Sequence, residues 1–492
     1  MANLVVSFVT EAVTIVLGLL LPRIILVAWG SEYNGLLSSV TNILQYLTLL
    51  EAGFNTATVQ ALYKTIGQND QEQTSVIIRT SQHYYHRVSI IYAGIVFLIS
   101  LLYPLAVSSE IPYWEIVLII ILQGMVGVMN FAFRASYQQL LNAEGKYYII
   151  SIITLITTIL TYTSKIVAAL VFNNVLIMQI MGVIIIMIQV VIYAVYFNNR
   201  YKWINKKARI NGALLENRKY YLIQQVAGLI FSSTDTIVLS IFCGLKVASV
   251  YAVYNLVYAG LAQIMGLFRK STGFMLGQAY HQEESLFKKT YDAYSAVQAT
   301  IGGVMASISI LLILSFVRIY TAGINDINYL DYIVAFIFSF NLILECSRGA
   351  SLAAANIAGK APETTSHYIA EAAINLSTSL VLVQFLGIRG VLLGTSLAGL
   401  YRTTDSIIYT NRHVLHQSPK SEIKTVLVSF GLFFVFSYLG YVAHVYSVQN
   451  YGQLLAAALM EGIIVCAVYA AVFILLNRSE AKMLMTFIRK SH

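Results

Sequence analysis

"RASYQQLLNAEGK" (134–146) and "RGASLAAANIAGK" (348–360) are written in one frame: an arginine, seven residues, an asparagine, two residues, then Gly-Lys. The two stretches lie 214 positions apart, and each closes a long apolar run. The surrounding chain is very apolar, with 58% hydrophobic residues and 11% charged among its 492. A soluble domain carries about 25% charged residues. Runs of twenty or more apolar residues recur along the whole length, enough to cross a hydrocarbon core of about 30 Å. Alternating ten-residue strands, the signature of a membrane barrel, do not occur. The composition therefore predicts an all-α polytopic membrane protein. Its first apolar run holds Glu11 and Pro22-Arg23 and is preceded only by Met1-Ala-Asn, so it reads as a retained span and not as a cleaved signal. Cys243, Cys346 and Cys466 fall in separate apolar runs, with neither disulfide nor metal spacing.

Fourteen spans are expected, at about 4–28, 35–63, 84–107, 114–142, 149–172, 176–197, 220–243, 249–278, 292–317, 329–357, 366–386, 389–410, 424–446 and 452–476. With the N-terminus inside, only Lys246, Arg318 and Arg389 of the 31 Lys and Arg fall in outer loops. Seven lie well within spans, and the other 21 fall in inner loops, tails and the inner ends of spans. By the positive-inside rule both termini are then cytoplasmic. The net charge of +9 thus marks topology and anionic lipid, and gives no case for nucleic acid.

The longest inner loop (198–221) holds seven Lys or Arg and divides the chain. The expected organisation is a six-helix lobe over 1–212, a basic cytoplasmic linker to about 219, and a second six-helix lobe over 220–422. Residues 423–492 form two extra helices, 13 and 14, that look like an appendage, and a cytoplasmic tail. Gly30 and Gly244 repeat at the same offset of 214 as the arginines. An even number of spans per half implies parallel lobes, related about the membrane normal and enclosing a central cavity.

Polar stripes recur in the same register. The first span carries Ser7, Glu11, Thr14 and Gly18, and the seventh Tyr221, Gln225, Gly228 and Ser232. The fifth carries Thr157, Thr161 and Lys165, and the eleventh Glu371, Asn375 and Ser379. Each set follows the i, i+3/i+4 spacing of one helix face. In the fourth span Asn130, Arg134, Gln138 and Asn142 share a broad face. Arg134 lies twelve residues from Lys146, roughly 18 Å of helix rise, and so near the membrane middle.

A mid-membrane arginine costs roughly 3 kcal/mol on insertion scales, so it faces protein or a wet cavity. Its planar fork suits phosphate oxygens. Candidate substrate contacts are therefore Arg134, Arg348, Lys165, Arg23 and Arg402, with Asn130 and Gln138 beside the first. Two of these have a competing structural role, because Glu345 stands three residues before Arg348 and Asp405 three after Arg402. Arg23, and Arg269 with Lys270 near an inner helix end, could equally snorkel to the headgroups. The intramembrane acids Asp235, Glu371 and Glu51 are candidates for binding a coupling Na⁺ or H⁺; together with Glu461, they could instead pair with the cations. His444 reads as a packed or interfacial residue, and no other cofactor is expected.

"PRIILVAWGSEYNGLLSSVTNILQYLTLLEAGFNTATVQAL" (22–62) resembles the first two spans of bacterial polysaccharide-unit flippases. "TDTIVLSIFCGLKVASVYAVYNLV" (234–257) is similar to the start of their second half, with an Asp in the seventh span, a Gly at the turn and a Tyr-containing eighth span. These are the Wzx-like members of the multidrug/oligosaccharidyl-lipid/polysaccharide exporter superfamily. The resemblance implies a monomer in the bacterial plasma membrane, working beside glycan polymerase machinery. It implies an oligosaccharide cargo on a polyprenyl diphosphate, flipped from the inner to the outer leaflet by alternating access, with Arg134 and Arg348 directed at the diphosphate. One competing reading is a cation-coupled multidrug exporter of the same superfamily, whose cargo favours acids and aromatics over arginines. Another is a membrane glycan polymerase or ligase, but the longest outer loop is about "RIYTAGINDIN" (318–328), and no Ser/His/Asp, metal or phosphate-loop motif appears.

Overall fold

A computed structural model describes residues 2–51, 54–205, 208–210, 219–443, 448–478 and 480. Among them it is all helix and loop, with no strand. The chain divides into two compact units, Met1–Leu229 with Gly244–Ser249, and Ile230–Cys243 with Val250–His492. Eleven stretches of the described residues are long and apolar enough to cross a membrane. Most of the loop at 206–218 lies outside the described residues, as do His444 and the side chains of Ser7, Glu11, Tyr221, Gln225 and Ser232.

The first unit contains α1 (Ala2–Tyr46), α2 (Phe54–Gly67), α3 (Gln71–Ala106), α4 (Tyr113–Met129), α5 (Ala135–Ala143), α6 (Tyr147–Phe172) and α7 (Val175–Arg200). A 3₁₀ turn, Leu47–Glu51, precedes α2, and a π-helical turn, Asn130–Arg134, joins α4 to α5. α8 (Lys219–Phe242) passes from the first unit into the second. The second unit continues with α9 (Leu245–Gln282), α10 (Glu284–Tyr320), α11 (Tyr332–Ile357), α12 (Ala361–Leu386), α13 (Ile388–His413), α14 (Lys420–Ala443) and α15 (Tyr451–Leu476). The first turn of α9 belongs to the first unit, where Ser249 Oγ accepts from Asn34 Nδ2 at 2.8 Å. Gly35 permits this approach: a Cβ there would lie 1.9 Å from the Leu245 carbonyl oxygen.

Local chemistry starts and stops these helices. Asp70, Asn174, Asp331 and Asn450 each accept a backbone N–H of the following turn through the side chain, the ordinary N-cap arrangement. The repeated motif of the sequence ends a helix both times. Gly145 and Gly359 adopt φ of 71° and 72°, donate to the Asn142 and Asn356 carbonyls, and place Lys146 and Lys360 as the N-caps of α6 and α12. Two further pairs at the offset of 214 are left-handed in both halves: Gly30 with Gly244 (φ 82° and 86°), and Asn173 with Gly387 (φ 45° and 54°). Gly30 interrupts α1, so residues 2–29 and 31–46 are two helical segments joined by a kink. The repeat read from the letters is therefore a repeat of backbone breaks.

In the second unit α10 packs against α11, α14 and α15. Gly302 lets Cys346 of α11 close on α10, and Gly303 does the same for Tyr469 of α15, the small-residue contact that apolar helices use where burial alone gives little driving force. α14 is tied in by more than apolar packing. Glu422 is buried and accepts from Tyr291 at 2.8 Å, Ser351 at 3.1 Å and Asn411 at 2.6 Å. The expected appendage is thus bonded into the unit through a satisfied carboxylate. At the end of the first unit, Glu144 accepts from Lys146 at 2.7 Å and from the Tyr201 hydroxyl. Burial and that carboxylate push the Tyr201 phenol well above its ordinary value.

Candidate functional site

The π-turn Asn130–Arg134 carries the first arginine of the motif. Such turns insert an extra residue into an α-helix and often mark functional positions. Asn130 supports this one in two ways. Its carbonyl accepts the Ala135 N–H across the turn, and its side-chain oxygen accepts Arg134 Nε at 2.7 Å. The guanidinium then reaches α7, where Nη1 donates to Gln189 Oε1 at 2.7 Å. Gln189 Nε2 in turn donates to Thr157 Oγ1 of α6 at 2.8 Å. Every one of these partners is neutral. Among the described residues no carboxylate forms an ion pair with Arg134. Glu51 interacts with Arg134 through its charge alone, and Tyr85 donates a hydrogen bond to that carboxylate.

The other first-unit candidates fall around this group. Gln138 donates to Tyr193 at 3.3 Å, one turn beyond Arg134. Lys165 lies on the α6 stripe two turns from Thr157 and extends across α7, where a Cβ on Gly182 would meet its Cε at 2.9 Å. Among the described residues it has no hydrogen-bonding or ion-pair partner. Arg23 follows Pro22 inside α1 and is half-buried.

The second unit treats the equivalent arginine differently. Arg348 on α11 donates Nη1 to Glu371 of α12, at the position that matches Thr157. Its expected partner Glu345 instead pairs with Arg269 at 3.5 Å and accepts from Tyr258. This corrects the expected pairing of Glu345, which goes to Arg269 on α9 and not to Arg348 on its own helix. On the other side of Glu371, Arg402 of α13 approaches with Nε at 3.5 Å, and its Nη1 reaches Asp405 at 3.1 Å. Asp405 also holds His367 Nδ1 at 2.6 Å. The result is an alternating ladder of guanidinium and carboxylate, Arg348–Glu371–Arg402–Asp405, ended by His367, on α11, α12 and α13. Tyr368 lies over the Arg402 guanidinium at 4.0 Å. Arg402 is 1% exposed and Glu371 5%, so both are committed to the interior. Glu461 on α15 has no cationic partner among the described residues.

Asp235 on α8 is 2% exposed and sits apart from the ladder. Its Oδ2 accepts from Thr395 at 2.7 Å and Tyr251 at 3.3 Å, and Asn375 Nδ2 reaches the same Thr395 hydroxyl at 3.0 Å. Asp235 Oδ1 and Asn375 Oδ1 are buried without a hydrogen-bond partner among the described residues. Buried oxygens left this way cost about 1–3 kcal/mol each, and a small cation or a proton would satisfy them. Among the described residues no three His, Cys, Asp or Glu gather as a metal cluster. The sequence pointed to Asp235 and Asn375 but not to Thr395, Tyr251 or Gln189. Single hydroxyls and amides in apolar runs have no spacing signal until packing brings them to a charge.

The structure is similar to the lipid II flippase MurJ in an inward closed conformation, with a TM-score of 0.69, 14% identity, and coverage of 96% of this chain and 99% of that one. It is also similar to an inward-facing multidrug resistance transporter of the MATE family in the MOP superfamily, with a TM-score of 0.65, 14% identity, and coverage of 86% and 99%. An outward-facing MATE family transporter matches with a TM-score of 0.60 at 12% identity, over 86% and 96%. No family model matches the chain, and no curated protein matches it. At these identities the likeness shows the fold, that of an all-helical polytopic membrane protein of the MATE and MurJ kind.

Proposed function

We propose that the chain is a Wzx-like flippase that carries polyprenyl-diphosphate-linked oligosaccharides across the membrane by alternating access, with Arg134 as the principal ligand of the diphosphate. One observation carries this function: the motif arginine of the first unit is held by neutral amides, while its counterpart in the second unit is neutralised by an acid. A guanidinium oriented by neutral groups keeps its full charge for an incoming phosphate. Lys165 lies roughly 12 Å further along the same α6 face, counted from Thr157, and supplies a second cation. Asn130 and Gln189 act as positioning residues. Arg348 and Arg402 serve charge balance within the second unit, and Glu371 is the anion between them. The fold shared with a lipid II flippase supports a lipid-linked cargo, and the quoted N-terminal stretches support the Wzx-like branch.

The decisive experiment is complementation of a flippase-null bacterial strain, with mass analysis of the lipid-linked intermediate in each leaflet. Restored surface glycan and an emptied inner-leaflet pool are expected. A strain that instead gains robust efflux of organic cations, with no glycan rescue, would establish the multidrug exporter reading. That second reading is favoured by the fold it shares with MATE transporters and by the buried acid Asp235.

Asp235 with Asn375 and Thr395 is the proposed coupling site for Na⁺ or H⁺. Asp235→Asn should remove the dependence of transport on the driving ion gradient while leaving substrate binding in place. Reconstituted vesicles with imposed Na⁺ or pH gradients measure this directly. An unchanged gradient dependence in the variant would move the coupling site elsewhere.

A further inference from the structure

The proposed transport chemistry leaves the open end of the charge ladder unused. There, where α12 begins and α13 ends, a cavity of about 570 Å³ is lined by His367, Tyr401, Thr404, Asp405, Tyr409 and His413. Leu400 and Ile408 form its apolar side.

Both acids at this end of the hairpin are already neutralised. Asp405 is shared by Arg402 and His367, and Glu363 accepts from Lys360 at 2.7 Å and from Tyr409 at 2.6 Å. What the cavity still offers is donors. The Tyr401 and Thr404 hydroxyls make no hydrogen bond among the described residues. His367 Nδ1 donates a hydrogen bond to the Asp405 carboxylate at 2.6 Å, and His413 Nδ1 donates to the Tyr409 carbonyl at 3.2 Å. Each imidazole therefore keeps Nε2 for a ligand, and in the imidazolium form that nitrogen is a further donor. Arg412 and Lys360 stand at the same helix ends and add positive charge. A group made only of acceptors, such as a phosphate, complements this set.

The apolar part of the surface narrows the ligand. Leu393, Leu397 and Leu400 are 37%, 47% and 41% exposed and follow one another at helical spacing up α13, away from the polar cavity. A soluble anion has no use for such a strip, whereas an acyl chain would cover it. Charge placement puts this end of the hairpin at the cytoplasmic leaflet, where anionic lipids concentrate and basic pockets between helices take their headgroups.

We propose that the cavity between the start of α12 and the end of α13 binds one anionic phospholipid, its phosphate on Tyr401, Thr404 and the two imidazoles and an acyl chain along Leu400, Leu397 and Leu393. The test uses the full chain, purified in mild detergent, stripped of lipid and titrated with phosphatidylglycerol, phosphatidylethanolamine or phosphatidylcholine of matched chains. Bound lipid is counted by native mass spectrometry. One retained phosphatidylglycerol is expected, with the other two lipids about tenfold weaker, the scale of one charge-assisted hydrogen bond. Tyr401→Phe combined with His413→Ala should weaken it by a similar factor at an unchanged thermal midpoint. Thr404→Val provides an independent variant on an exposed position. Equal retention of all three lipids, a preference for phosphatidylethanolamine, or unaltered binding in the variants would each overturn the proposal. So would displacement of the lipid by an equal concentration of inorganic phosphate, which would reduce the site to a simple anion pocket.

Discussion

Arg134→Ala is expected to leave a folded protein that has lost transport by roughly 10- to 100-fold, the cost of losing a hydrogen-bonded charge from a desolvated contact. The side chain stabilises little by itself, since its partners Asn130 and Gln189 are neutral and Gln189 keeps its bond to Thr157 when the guanidinium is gone. The π-turn also survives, because it is closed by the Asn130 carbonyl and the Ala135 N–H. Arg134→Lys restores the charge without the planar fork and should recover only part of the rate. The measurement is the amount of lipid-linked glycan held on the inner leaflet of the complemented strain. Full transport by Arg134→Ala would remove this residue from the mechanism, and unfolding of the variant would show a structural role instead.

Glu371→Ala should have the largest effect on stability, a loss of about 3–5 kcal/mol, the usual result of removing one partner from a buried ion pair. The reason lies in what remains. Arg348 loses its acceptor on α12, and Arg402, at 1% exposure, keeps only Asp405. Arg348 is then left with the charge of Glu345, which Arg269 shares, and Arg402 with that of Asp405, which His367 shares. Glu371→Gln keeps the shape and should fail almost as badly, since it restores the hydrogen bond without the charge. Glu371→Gln combined with Arg402→Met removes a cation with the anion and should recover much of the loss. Thermal unfolding in detergent reads all three, and a double variant no more stable than Glu371→Gln alone would refute the charge-balance account.

The two arginines show how much of the site could be read in advance. Their shared frame was legible, because it follows from counting residues along apolar helices. The partner of Arg348 was not. Glu345 is three residues away on the same helix, within ordinary pairing distance, yet it turns to Arg269 and Tyr258. Glu371 is 23 residues away and meets Arg348 because α11 and α12 both pack against α13. The π-turn left no mark either, since Asn130-Phe-Ala-Phe-Arg134 contains neither glycine nor proline to announce a break.

The chain alone determined where helices cross and where they stop. Hydropathy summed over some twenty residues and a left-handed φ at Gly or Asn are properties of consecutive residues, and the breaks at Gly30 and Gly145 repeat at 214 because the letters do. Only the tertiary structure decided which of the two motif arginines is held in an ion pair. That depends on whether an amide or a carboxylate from another helix comes within about 3 Å of the guanidinium: Gln189 and Thr157 stand there in one half and Glu371 in the other. Coulomb energy in a medium of low dielectric changes steeply over such distances.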